Sequence, residues 1–144
     1  MSEEKNVETA AALTRAVRTG WAATNRDDYG AMRTACRADA GFIPPSRGVG
    51  GLGFEPVYRG PDGVEKFVRE WKSGFSRFTY EPREIADAGG GSFAVRLGMI
   101  GKLREADTAV REEYGVVVTL KEGQILRQEN FRDWDAALAA LTNS

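Results

Sequence analysis

The stretch GPDGVEKFVREWKSG (60–74), followed by FSRFTYEPREIAD (75–87), contains the change of pattern that decides the fold. In the first part, apolar residues recur at steps of three and four, which is typical of a helix with one buried face. These residues are Val64, Phe67, Val68, Trp71 and Phe75. Pro61 suits the first turn of the helix, where a missing N–H costs nothing. After Gly74 the pattern becomes that of a strand, predicted near 78–87.

Downstream of this switch the sequence predicts a run of hairpin-linked strands and one last helix. Three further strands are expected near 93–103, 108–120 and 124–132. Gly89-Gly90-Gly91 and Lys121-Glu122-Gly123 are typical hairpin turns. Asp133 is placed to cap a short final helix.

Upstream of the switch, two more helices are predicted. The first covers 2–24, and the second runs from Tyr29 to about Ala38 with Met32 and Cys36 on its inner face. Between them and residue 60 we expect a short extended piece, a glycine-rich loop and a short strand, at 41–43, 46–56 and 57–59.

Helices followed by an antiparallel meander predict a single α+β domain covering 1–144. Each helix must bury its apolar stripe on a face of the sheet. Long strands twist and curl to stay paired, and a curled sheet covered by helices encloses a cavity. The length suits one domain.

Composition and charge exclude several classes of function. The net charge is −1, from 20 basic and 21 acidic residues, and the densest basic stretch, 26–37, is interrupted by Asp27 and Asp28. A nucleic-acid partner is therefore not expected, because such proteins carry a clustered basic face. No apolar run is long enough to span a membrane, and the polar start MSEEKNVE is unlike a secretory signal.

The cysteine and histidine counts bear on compartment and chemistry. A lone Cys36 excludes an internal disulfide and favours a reducing compartment, so we predict a cytoplasmic protein. The chain has no histidine, which removes the commonest general base and the commonest metal ligand. No metal and no cofactor are expected.

Five short motifs, in order and in register, carry a resemblance to a known family. They are NVE (6–8), NRDDY (25–29), YRGPDGV (58–64), GQILR (123–127) and DWDAAL (133–138). They resemble the SnoaL-like branch of the nuclear-transport-factor-2-like (NTF2-like) superfamily. The resemblance implies a cone-shaped α+β barrel, with three N-terminal helices packed on a strongly curved, mostly antiparallel sheet, and a homodimer formed through that sheet. Its members include polyketide cyclases, ketosteroid isomerases, epoxide hydrolases, dehydratases and proteins without known activity, so fold leaves function open.

The acid–base groups that the family resemblance implies are missing at their expected positions. The aspartate base of the isomerases corresponds to Pro44, and their tyrosine donor corresponds to Gly20 or its neighbourhood. An acidic residue of the cyclases corresponds to Asn130, and a frequent pocket histidine corresponds to Val116. Proton abstraction needs a base within hydrogen-bond reach of the substrate, and these positions supply none.

Alternation along the last two strands selects the polar candidates. It puts Glu112 on one face with Tyr114 and Val116, and it puts Gln128 on a shared face with Asn130. Gln128 and Asn130 could bond a ligand carbonyl or hydroxyl, or else each other, the backbone or water. Asn130 and Glu112 are the candidate catalytic residues.

Two charged residues have alternative interpretations. Glu112 could work as an acid or base if it were desolvated in the cavity, or it could lie exposed and pair with an arginine. Arg96 could bind an anionic ligand or project to solvent.

The predicted ligand contacts are mainly aromatic. A wall suited to a flat apolar molecule is expected from Trp21, Tyr58, Trp71, Phe75 and Tyr114, together with Val116 and Gln128. The alternative is that the aromatic residues are plain core.

Two features of the sequence are interpreted as structural rather than functional. GVGGLG (48–53) matches the dinucleotide-binding pattern, but Phe54-Glu55-Pro56 cannot begin the helix that must follow it, so a loop at the pocket mouth is expected. Cys36 has no histidine to activate it and is expected to be core.

Three functions remain open from the sequence. The first is an enzyme or former enzyme that isomerises, cyclises or dehydrates a small apolar, polyketide-like molecule by holding it in a reactive conformation. The second is a non-catalytic ligand-binding or carrier module. The third is a dimeric interaction protein.

Overall fold

The computed structural model describes residues 20–44, 56–87, 91–106 and 108–142, which form four helices and one six-stranded sheet. The helices are α1, described at 20–25, α2 (Tyr29–Thr34), α3 (Gly60–Ser73) and α4 (Trp134–Thr142). The strands are β1 (Cys36–Ile43), β2 (Tyr58–Arg59), β3 (Phe75–Asp87), β4 (Ser92–Leu103), β5 (Ala109–Lys121) and β6 (Gln124–Phe131). The predicted α+β class is confirmed.

The sheet is a meander with two strands added at one side. Its order is β2-β1-β6-β5-β4-β3, and β3 to β6 pair antiparallel in sequence order, as predicted. The strand β1 pairs parallel to β6, which makes the sheet mixed but mostly antiparallel. In the β5–β6 hairpin, Glu122 and Gly123 have φ values of 54° and 80°, which is the conformation that two-residue hairpin turns require.

The inner face of the sheet carries the main core. Apolar side chains alternate along β4 and β5 on this face. These sheet residues are Phe93, Val95, Leu97 and Met99 on β4, and Tyr114, Val116 and Val118 on β5. Met99 and Tyr114 pack in one cluster with the buried face of α3, and the other sheet residues pack in a second cluster with Trp21 of α1. The predicted stripe of α3 is confirmed for Val64, Phe67, Val68 and Trp71, which are all buried. Phe75, the last residue of the predicted stripe, is also buried but begins β3.

The outer face of the sheet is covered at one end by α4. Ala137 and Leu141 of this helix pack on Ala94 of β4. Gly115 allows the close approach, since a Cβ atom at this position would overlap the Asp133 carbonyl and the Ala137 methyl group. Asp133 caps α4 as predicted, and its Oδ1 accepts a 2.8 Å hydrogen bond from the Ala136 N–H.

The second predicted helix is too long, and the error concerns Cys36. Helix α2 starts as expected, with the Asp28 carboxylate capping it at the Ala31 N–H, but it ends at Thr34. Cys36 lies on β1, opposite Ile125 of β6, and the Ile125 N–H donates to the Ala35 carbonyl at 2.8 Å. Pairing with a strand distant in sequence overrides the local helical pattern.

Part of the predicted structure lies outside the described residues. This applies to the first helix before residue 20, to most of the glycine-rich loop at 46–56 and to residues 88–90 of the first hairpin turn.

Side chains at the end of α1 fasten it to the sheet and to α3. The Asn25 amide accepts from the Tyr80 N–H at 2.7 Å and donates to the Tyr80 carbonyl at 3.0 Å, on the edge strand β3. Lys72 of α3 donates to the Thr24 carbonyl and to the Asp27 carboxylate, both at 2.6 Å. These contacts set the distance between α1 and β3, which are two of the elements around the pocket described below.

Candidate ligand-binding pocket

A hollow lies between the helices α1, α2 and α3 and the inner face of the sheet. The cavity volume is about 40 Å³. That is enough for roughly three water molecules or one small organic group. The described lining residues are Gly20, Trp21, Thr24, Met32, Ala35, Cys36, Phe42, Val64, Phe67, Val68, Tyr80, Val118, Ile125 and Gln128.

An irregularity in β6 shapes one wall of the hollow. Thr119 of β5 pairs with Arg127 and the next residue, Leu120, pairs with Ile125, so β6 has one extra residue, Leu126, at this point. As a result, Ile125 and Gln128 both line the hollow although they are three residues apart. Strict alternation would have placed Leu126 on the face of Gln128.

The polar groups of the described lining are few and uncharged. The Thr24 hydroxyl already donates to the Gly20 carbonyl at 2.9 Å. The side chains of Tyr80 and Gln128 line the hollow and make no side-chain hydrogen bond to any described residue. The hollow can therefore offer hydrogen bonds to a ligand, but its described walls contain neither a carboxylate nor a cation.

Tyr80 is the most firmly positioned of these polar residues. Its ring meets Phe78 edge-on, with 4.6 Å between ring centroids, and Trp21 at 6.4 Å. Asn25 fixes its backbone from α1. Burial raises the pKa of the Tyr80 hydroxyl, and the nearby Tyr114 raises it further, so the group remains a protonated donor at physiological pH.

The Cys36 thiol is part of the same wall and is held in its neutral form. Its side chain is only 7% exposed, and burial raises the pKa of the thiol from 9.0 to about 11. Because the thiolate is the nucleophile, this environment makes Cys36 inert at neutral pH. The prediction that Cys36 is core is confirmed, although the residue lies on a strand and not on a helix.

We expect iodoacetamide to modify native Cys36 slowly. At pH 8, the rise in pKa lowers the thiolate fraction by roughly a hundredfold, and burial slows the reaction further. Since Cys36 is the only cysteine, the mass of the intact chain measures the reaction directly. The urea-unfolded chain is the control and should react at the rate of a free thiol. Equal rates in the native and unfolded chains would contradict a buried thiol.

The predicted ligand contacts fall into two groups. Trp21 and Gln128 lie in the described lining. The other aromatic candidates, with Phe67 and Phe78, form a cluster next to the hollow, in which Trp71 is the centre. Tyr58, Trp71, Phe75 and Tyr114 are 1–3% exposed and belong to this cluster. Val116 is fully buried in the neighbouring cluster around Phe93 and Val95. Their role as ligand contacts stays a prediction.

The two candidate catalytic residues lie outside the described lining. The Asn130 amide donates to the Ile43 carbonyl at 2.9 Å, which is the backbone alternative considered above. Glu112 is half-buried on β5 opposite Met99 and forms no ion pair within the described ranges. Their catalytic role stays a prediction.

The Arg96 side chain points away from the hollow. Its guanidinium lies on the outer face, 2.7 Å from the Glu113 carboxylate and 2.8 Å from that of Glu84. Arg83 bonds the same Glu113 at 3.0 Å, and the two arginines keep the pKa of this carboxyl below its usual value. Arg96 therefore does not reach the hollow.

Of the described lining residues, sequence reasoning named only Trp21 and Gln128 as ligand contacts. Among the lining residues that it missed, Tyr80 is the most important chemically. The spacing of Phe78 and Tyr80 on one strand placed both on one face, and this signal could have identified Tyr80.

Within the described ranges, no group of three or more histidine, cysteine, aspartate or glutamate residues could hold a metal ion. In the same residues, no helix is long and apolar enough to cross a membrane. The cytoplasmic location stays a prediction.

Helices packed on one face of a mixed six-stranded sheet, with a hollow between them, are typical of the NTF2-like fold. Comparison with known families matches residues 17–128 to the SnoaL-like domain. The chain therefore belongs to the SnoaL-like domain family, as the sequence motifs indicated. No curated protein sequence matches the chain significantly.

Solved structures confirm the NTF2-like fold at low sequence identity. TerC co-crystallised with polyporic acid has a TM-score of 0.72 and 18% identity, over 91% of this chain and 98% of that one. A Mycobacterium tuberculosis protein in complex with estradiol-17β-hemisuccinate has a TM-score of 0.69 and 13% identity, over 85% and 94%. A candidate polyketide cyclase from Xanthomonas campestris has a TM-score of 0.66 and 18% identity, over 92% and 98%.

Proposed function

We propose that this protein binds a small, largely apolar molecule in the hollow between α1, α2, α3 and the inner face of the sheet. One observation carries the proposal: none of the fourteen described lining residues is charged at neutral pH. An apolar hollow with a few polar groups is the usual form of a small-molecule site. Complexes of two structural neighbours with polyporic acid and with an estradiol derivative support the proposal by analogy of fold.

The chemistry of the walls favours binding over proton transfer. A general base would have to lie within hydrogen-bond reach of the ligand, and the described lining has neither carboxylate nor histidine. The Cys36 thiol and the Tyr80 hydroxyl both have raised pKa values and keep their protons. A ligand-binding or carrier role therefore fits the described residues best.

A cyclase-like enzyme is the second candidate, and Tyr80 is the observation that favours it. A neutral hydroxyl donor can polarise a carbonyl, and the hollow could hold a flexible substrate in a conformation ready for ring closure. Once a ligand is known, Glu112→Gln and Asn130→Ala test the two catalytic candidates. Lost turnover with retained binding would establish an enzyme, and retained turnover would exclude these two residues.

Binding is tested with acetophenone, a small neutral aromatic ketone, by isothermal titration of the full chain. We expect saturable binding and, in the presence of the probe, slower alkylation of Cys36, because this thiol lies in the wall of the hollow. Toluene, which lacks the carbonyl group, is a second probe for the apolar walls. Failure of both probes to bind at millimolar concentration would contradict the proposed function, and so would binding without protection of Cys36.

We further propose that two copies of the chain pair through the part of the outer face that α4 leaves uncovered. The supporting observation is that basic and acidic side chains alternate on this surface, namely Arg83, Arg96, Glu84 and Glu113. Across a twofold axis, the basic groups of one copy can face the acidic groups of the other. Sedimentation is expected to give twice the chain mass of 15.7 kDa, and Arg96→Glu is expected to give monomers. Arg127→Glu, at an exposed pair on β6, is the control. A monomeric wild-type chain at all concentrations would contradict pairing.

A further inference from the structure

We infer that Tyr80 selects the ligand, by donating a hydrogen bond to an acceptor atom of a molecule that carries no net charge. The inference rests on the proposed function and names the chemistry of the occupant. Tyr80 is not one of the positions at which the family resemblance placed catalytic groups.

Tyr80 has hydrogen-bonding capacity that no described residue uses. Its ring lies between the two apolar clusters of the inner face and packs on both. Within the described ranges, no protein group bonds its hydroxyl. The residue is half-buried and lines the hollow, so its hydroxyl can meet an acceptor there, and a hydrogen bond of this kind contributes about 0.5–1.5 kcal/mol.

The hydroxyl donor of Tyr80 has a fixed position. Asn25 holds the Tyr80 backbone with two hydrogen bonds, and Phe78 and Trp21 hold the ring. A donor that is already positioned loses little conformational entropy when a ligand arrives. Because the hydroxyl keeps its proton at physiological pH, it can donate to a ketone, quinone, ether or hydroxyl oxygen.

The walls of the hollow also select for the charge of the ligand. A carboxylate or an amine would leave its hydration shell for walls that, among the described residues, offer no opposite charge. A neutral molecule loses far less on entering the hollow. The walls therefore discriminate against ions while Tyr80 favours molecules with an acceptor.

Gln128 gives the hollow a second polar group for larger ligands. Its strand, β6, is separated from β3 by two strands, so the two backbones would lie about 14 Å apart in a flat sheet. The amide can donate and accept. A single-ring ligand would reach one of the two groups, and a longer molecule could reach both.

Three probes of nearly equal shape separate the requirement for an acceptor atom from the requirement for an uncharged ligand. Acetophenone is neutral and has an acceptor, α-methylstyrene replaces its carbonyl oxygen with CH2, and benzoate replaces its methyl group with a charged oxygen. For the wild-type chain, we expect acetophenone to bind about tenfold more tightly than α-methylstyrene. Benzoate should bind at least about tenfold more weakly than acetophenone.

The variant Tyr80→Phe removes the hydroxyl and keeps the ring. We expect this variant to bind acetophenone about tenfold more weakly than the wild type and to keep its affinity for α-methylstyrene. The preference for acetophenone over α-methylstyrene should therefore disappear. Tyr29→Phe is the matched control, because it deletes a tyrosine hydroxyl that bonds Asp27 away from the lining. This control should bind all three probes as the wild type does, and thermal unfolding of both variants checks that they fold.

The outcomes separate this inference from the proposed function. If no neutral probe binds, the proposed function fails and the inference fails with it. If both neutral probes bind equally to the wild type and to Tyr80→Phe, the proposed function stands and the role of Tyr80 is refuted. Benzoate binding as tightly as acetophenone would refute the selection for uncharged ligands.

Discussion

Replacing Gly115 with alanine is expected to lower the free energy of unfolding by about 3 kcal/mol, the largest loss we expect from one added methyl group. A Cβ atom on Gly115 would overlap the backbone carbonyl of Asp133 and the Ala137 side chain. The backbone at the start of α4 cannot move aside without giving up the packing of Leu141 on the outer face. Urea denaturation of the two chains measures the difference.

Gly41→Ala is the matched control for this substitution. Gly41 is also a strand glycine, but a Cβ atom there would meet nothing within 4 Å. We expect its free energy of unfolding to change by less than about 0.5 kcal/mol. If both variants had the same stability, α4 would not pack on β5 as described.

Replacing Val118 with tryptophan is expected to abolish probe binding with little loss of stability. Val118 lines the hollow between Phe93 and Gln128 of the neighbouring strands, and an indole at this position would fill the free space. We expect the affinity for acetophenone to fall by at least about tenfold, because the ligand and the indole compete for one volume. Isothermal titration and thermal unfolding measure the two effects.

Val116→Trp provides the contrast to this variant. Val116 lies two residues away on the same strand and face and is buried in the same cluster as Val118, but it does not line the hollow. Overpacking at Val116 should lower the free energy of unfolding by about 1–3 kcal/mol or more. If Val118→Trp still bound acetophenone with unchanged affinity, the probe would occupy a different place.

The elements with strong local patterns could be predicted from the sequence. The stripe of α3 and the alternation along β4 and β5 come from repeated apolar residues, and each repeat reports one buried face. The Lys121-Glu122-Gly123 turn and the Asp133 cap depend on the chemistry of a few adjacent residues. For this reason the order of helices and strands, and with it the fold class, followed from the sequence.

The features that depend on distant contacts could not be predicted. The end of α2 is decided by the pairing of Cys36 with Ile125, 89 positions away by their numbers. The extra residue Leu126 in β6 brings Ile125 into the lining, and no local pattern announces it. The sequence also could not separate Trp21, in the lining, from Trp71, in the solid cluster, because both are buried aromatic residues on helices.

The central claim is that the hollow on the inner face of the sheet, whose described lining is uncharged, is the binding site. Intermolecular nuclear Overhauser effects test it most directly. With acetophenone at saturation, we predict contacts from the probe to methyl groups of Val68, Val118 and Ile125, which line the hollow. Val117 lies on β5 beneath α4, and Leu138 lies on α4 itself. Both are at the outer face of the sheet, and their methyl groups should show no contact to the probe. Contacts to the outer-face methyl groups alone, or no contact to the lining at saturation, would contradict the account.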